Sequence, residues 1–113
     1  VAPRSSYRRL TRSRTLPWLE GPEPWSVVCF VVRAGHRGRG LMHDLLAGAV
    51  ADAAAHGAAV VEGYPVDTGG ARLDGAAGYV GTLELFERAG FRRAAPTTAR
   101  SGGRPRWIVR REL

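Results

Sequence analysis

The sequence predicts an α/β fold, a mixed central β-sheet flanked by helices, built as a single domain over residues 1–113. Three observations carry that expectation. Residues 26–32 (SVVCFVV) form an unbroken β-branched and aromatic run, as in strands covered on both faces. From Leu41 onward, Met42, Leu45, Leu46, Ala49, Val50 and Ala53 recur at helical spacing. A second apolar run at 59–66 follows that helix, and a connecting helix makes the two strands parallel.

The elements can be justified in chain order. Residues 1–25 carry Arg4, Arg8, Arg9, Arg12 and Arg14 ahead of Pro17, Pro22 and Pro24, which reads as an irregular basic arm. Residues 26–113 then form the core. Gly57 stops the long helix in the left-handed position that favours glycine. Residues 67–78 are Gly-rich and read as a loop. Residues 79–89 form a short helix with Leu83 and Phe86 inward, stopped by Gly90. Residues 91–98 and 106–111 form a hairpin across Ser101, Gly102 and Gly103.

Composition narrows the function class. The net charge is +7, and all 17 basic residues are arginine, a pattern that reads as coding bias. The single Cys29 excludes an internal disulfide, no Cys/His spacing suggests zinc, and nothing activates Cys29 as a nucleophile. No apolar run reaches the ~20 residues of a membrane span. A reducing, cytoplasmic setting with no membrane partner is expected.

The chemistry concentrates between the first strand and the long helix. There Arg37, Gly38, Arg39 and Gly40 alternate immediately before the helix opens. A helix start presents N–H groups without intrahelical partners and partial positive charge. Glycines let that backbone approach a ligand, and arginines add bidentate phosphate donors. The turn is an anion cradle. Leu41 and Met42 stand where a P-loop needs Lys and Ser/Thr, so Mg-nucleotide hydrolysis is not expected. His43 stands where a dinucleotide fingerprint needs its third glycine.

The R-G-x-G turn between strand and helix resembles the acetyl-CoA pyrophosphate loop of the GNAT superfamily of N-acetyltransferases. Arg37, Gly40 and Met42 fill the loop's three key positions, Met42 departing from the usual Gly/Ala. The segment Phe86-Glu87-Arg88-Ala89-Gly90-Phe91 is similar to that family's helix-to-strand junction. The resemblance covers residues 26–113, roughly the C-terminal two-thirds of such a domain. Residues 1–3 would be the tail of a preceding strand, so a fold truncated at the N-terminus is expected, its uncovered sheet edge inviting a homodimer.

The resemblance implies acetyl transfer from acetyl-CoA directly to a primary amine on a small molecule or peptide. It places the pantetheine arm along the backbone of Phe30, Val31 and Val32. It places the pyrophosphate between Arg37 and Arg39, over the N–H groups of Gly38, Arg39, Gly40, Leu41 and Met42. The family's frequent tyrosine acid is replaced by Phe86, leaving Tyr79 as the candidate substitute. Glu62, inside an apolar strand, lies either on a solvent-facing edge or beside the cleft as general base. Tyr64 would line the same cleft.

Two other readings compete. One is a catalytically silent acyl-CoA-binding protein or truncated remnant, suggested by Phe86 and the short N-terminal part. The other is a basic nucleic-acid-binding module; few aromatics interleaved with the arginines, and no helix-turn-helix, zinc or OB pattern, argue against it.

Overall fold

The apolar runs pair into one five-stranded sheet. The computed structural model describes residues 1–28, 41–67, 82–101 and 103–113. In chain order the strands are β1 (Ala2–Pro3), β2 (Trp25–Val27), β3 (Val60–Gly63), β4 (Arg92–Ser101) and β5 (Arg104–Glu112). Their spatial order is β1-β2-β3-β5-β4. Among the described strands β2 and β3 run parallel, in register Trp25↔Val61, Ser26↔Glu62 and Val27↔Gly63, and the other strand pairs are antiparallel. The mixed α/β architecture is as expected.

Helix α2 (Leu41–Ala55) makes the crossover between β2 and β3. It ends where Gly57 takes φ of +80°. Helix α3 (Leu83–Arg88) is shorter than the expected 79–89. The Thr82 side chain caps it by accepting from the Leu85 N–H at 3.2 Å, a preferred way to satisfy a helix start. Residues 79–81 lie outside the described residues.

The other boundaries move for local reasons. Of the strand expected at 26–32, the described part begins one residue early, at Trp25, and Val28 lies beyond β2. Strand β3 is shorter than 59–66 because Pro65 has no N–H to donate. The chain still follows β5: the Trp107 N–H donates to Pro65 O at 3.0 Å, and the Asp67 N–H donates to Pro105 O at 2.8 Å. The hairpin is longer than expected, its turn containing Gly103 at φ +76°.

The arm is irregular over residues 12–24 but not before them. It holds β1, a 3-10 turn (Arg4–Ser6) and helix α1 (Arg8–Thr11). Strand β1 covers the β2 edge through Ala2↔Ser26 and Pro3↔Trp25, so that edge is occupied by this chain itself. The physical reason is burial: Leu10 and Leu16 pack with Tyr64, Ala99 and Ile108 on one sheet face. The opposite face carries α2 and α3, through Leu46, Val50, Ala53, Leu83 and Phe86 over Val27, Val61 and Val109. Among the described residues no helix is long and apolar enough to cross a membrane.

Candidate functional site

The period-2 alternation of β3 sends Val61 and Gly63 to the helix face and Glu62 and Tyr64 to the arm face. Gly63 leaves room for Phe86: a Cβ there would stand 2.3 Å from Phe86 Cε1. The Phe86 ring meets Phe91 edge-on at 4.9 Å and is fully buried, so this position offers packing and no hydroxyl.

On the arm face the sheet register aligns Ser26, Glu62 and Arg110 in one row across β2, β3 and β5. Arg110 Nε donates to Glu62 Oε2 at 2.7 Å. From the arm, Arg4 Nη1 donates to Glu62 Oε1 at 2.7 Å and to Pro17 O at 3.1 Å, and Arg4 Nη2 donates to Leu16 O. Tyr64 Oη donates to the same Glu62 Oε1 at 2.7 Å. That uses the phenol's only hydrogen, so Ser26 Oγ donates to Tyr64 Oη, also at 2.7 Å. Arg110 Nη1 reaches Glu20 O at 3.2 Å, tying down the far end of the arm.

The cluster is sealed. Arg4 and Glu62 are both 0% exposed. The Arg4 guanidinium lies between two rings, Trp18 at 4.6 Å and Tyr64 at 5.4 Å. Two guanidiniums share one carboxylate, and among the described residues the buried Arg4 Nε and Arg110 Nη2 have no hydrogen-bond partner. Burial first, and then the Glu62 charge, pushes the Tyr64 phenol well above its usual range. Nearby, Arg106 Nε donates to Tyr64 O at 2.8 Å, and burial lowers its guanidinium from the ordinary value.

Glu62 is therefore on neither a solvent-facing edge nor an open cleft wall. Both its oxygens are engaged by donors, and to take a proton it would have to release one of them. Tyr64, expected to line the cleft, belongs to this cluster. Leu41 and Met42 form the first residues of α2. Phe30, Val31, Val32, Arg37, Gly38, Arg39, Gly40 and Tyr79 lie outside the described residues.

The frame around that loop is described. Strand β2 runs parallel to β3 and α2 starts at Leu41, so the connection leaves the carboxyl end of the parallel pair. That end of an α/β sheet is where ligands commonly bind, and the first turn of a helix carries N–H groups without intrahelical partners. Asp44 is exposed in the first turn of α2, where the helix dipole favours its negative charge.

Sequence reasoning missed Arg4, Ser26 and Arg110. A lone glutamate inside a buried strand requires a cationic partner. Arg110, following Trp107-Ile108-Val109, was the readable candidate. Comparison with family models, with curated proteins and with solved structures gives no match for this chain.

Proposed function

We propose that the chain is an acetyl-CoA-dependent N-acetyltransferase acting on a primary amine. One observation carries this reading: the Arg37-Gly38-Arg39-Gly40 sequence occupies the connection from a parallel strand to the start of a long helix. The order strand, connection, long helix, strand, short helix and hairpin supports it along the rest of the chain.

In this reading Arg37 and Arg39 hold the pyrophosphate over the N–H groups from Gly38 to Met42, and residues 30–32 offer backbone to the pantetheine arm. The neutral amine attacks the thioester carbonyl, the new C–N bond forms, and the C–S bond breaks as its electron pair leaves on sulfur. Tyr79 is the candidate donor to that thiolate, which leaves well unassisted because a thiol ionises near about 8.5. The proton lost by the amine goes to solvent. Glu62 contributes by fixing β2, β3 and β5 in register and is a positioning residue.

A second reading, acyl-CoA binding without turnover, is favoured by the engaged oxygens of Glu62. Calorimetric titration with acetyl-CoA, against dephospho-CoA and ATP, tests the shared part of both. The CoA series should bind, and Gly40→Glu should abolish binding by setting a carboxylate against the pyrophosphate. Unchanged affinity in that folded variant would remove the loop assignment. Thiol release with a panel of amines then separates the two: binding without release favours the silent protein.

A further inference from the structure

The surface of the arm poses a problem that acyl transfer does not absorb. Residues 1–19 contain five arginines and no Asp or Glu. Arg4 is buried in the ionic cluster, but Arg8, Arg9, Arg12 and Arg14 are all exposed. Among the described residues none of these four pairs with a carboxylate. Elsewhere on the surface three arginines are matched by carboxylates, Arg88 with Glu84, Arg92 with Glu112 and Arg93 with Glu87, while the exposed Arg100 and Arg111 donate to the backbone carbonyls of Gly103 and Ala89.

Local structure gains nothing from this arrangement. Arg8 and Arg9 sit in the single turn of α1, which is too short for its dipole to favour or oppose them. Arg8 and Arg12 stand four residues apart, a spacing at which like charges repel. Their apolar neighbours Leu10 and Leu16 are buried against the sheet, so the fold fixes the segment and leaves its charges in solvent. The same arm presents Trp18, 44% exposed although its ring rests on the guanidinium of Arg4. Arg4 is itself held by Glu62, Leu16 and Pro17, which gives that ring a fixed base.

We propose that the outer surface of this arm binds single-stranded nucleic acid. Arg8, Arg9, Arg12 and Arg14 engage backbone phosphates, and Trp18 provides a face on which a base stacks. The scarcity of aromatics among the arginines argued against such a role in the sequence. The fold changes that balance, because one aromatic on a rigid base beside an acid-free basic segment is the combination that sequence-independent binding uses.

The test is fluorescence anisotropy with a labelled oligothymidylate of about twelve nucleotides, within the usual site size. With four phosphate contacts, affinity should fall about 50-fold between about 50 and about 200 mM salt. The quadruple variant Arg8→Gln, Arg9→Gln, Arg12→Gln, Arg14→Gln changes only exposed side chains. It should keep its melting temperature and lose most of both the affinity and the salt dependence. Trp18→Ala should weaken binding about tenfold and leave the salt slope unchanged. Wild-type affinity in the folded quadruple variant would overturn the proposal. So would equal affinity for polyglutamate, or tighter binding of a duplex than of the single strand.

Discussion

The two faces of the sheet are built from the same strands and held by opposite physics. On the helix face, Val27, Val61 and Val109 meet Leu46, Val50, Leu83 and Phe86, all apolar and interlocked. On the arm face an ion cluster sits inside an apolar ring of Leu10, Leu16, Tyr64 and Ile108. The helix face discriminates by volume. The arm face discriminates by charge, because only a segment bringing an arginine to Arg4's position, with carbonyl acceptors such as those of Leu16 and Pro17, can close over Glu62.

That contrast predicts how each face breaks. Glu62→Gln should have the largest effect. It leaves two guanidiniums in the interior without a counter-charge, and removing one partner of a buried pair typically costs about 3–5 kcal/mol. Denaturant unfolding should show the midpoint falling sharply and the arm becoming protease-sensitive first. A variant as stable as wild type, with turnover lost, would instead return Glu62 to the role of general base.

Gly63→Ala probes the other face by volume alone. The added methyl would stand 2.3 Å from Phe86 Cε1 and 2.7 Å from Cζ. The ring is fully buried against Phe91 and has little room to give. Overpacking of this kind costs about 1–3 kcal/mol. Adding Phe86→Leu should recover part of the loss in thermal melts, whereas Phe86→Leu alone should destabilise. Additive losses in the double variant would mean that the two positions do not compete for space.

How much of this was legible follows the same division. Local signals marked the helix face well: the apolar spacing reappears in Leu46, Val50 and Ala53, although Leu45 is exposed, and the stops at Gly57 and Gly90 and the strand–helix–strand order reappear too. The arm face was harder, because its pairing spans the chain. Arg4 meets Glu62 from 58 positions away, and nothing near either residue advertises the other. The arm's prolines and arginines suggested irregular chain, while the deciding contacts were Leu10 and Leu16 on a sheet formed much later in sequence. Glu62 drew attention as an anomaly in a strand, but its burial and its three donors could not be read from its isolation. Of the candidate cofactor loop, sequence supplies the residues and structure supplies the frame.

Tyr64 tests the arm face most finely, because its hydroxyl can be removed with little change in shape. Tyr64→Phe deletes the donor to Glu62 and leaves Ser26 without that acceptor, for an expected loss of about 1–2 kcal/mol near neutrality. The pH dependence then has a definite sign. Burial, followed by the neighbouring Glu62 charge, raises the folded phenol above its ordinary value of 10.0. Above that pH the unfolded chain releases a proton that the folded chain keeps, so the unfolded state binds fewer protons and stability falls as pH rises. The tyrosine's contribution is complete below pH 10.0 and is lost above it, at a limiting slope of about 1.4 kcal/mol per pH unit. Tyr64→Phe lacks this term. Its stability deficit relative to wild type should therefore narrow as unfolding is measured from pH 9.5 upward in steps through the phenol range of about 10. A deficit that stayed constant across that range would mean that the Tyr64 phenol ionises as readily folded as unfolded, and that the arm admits water to the cluster.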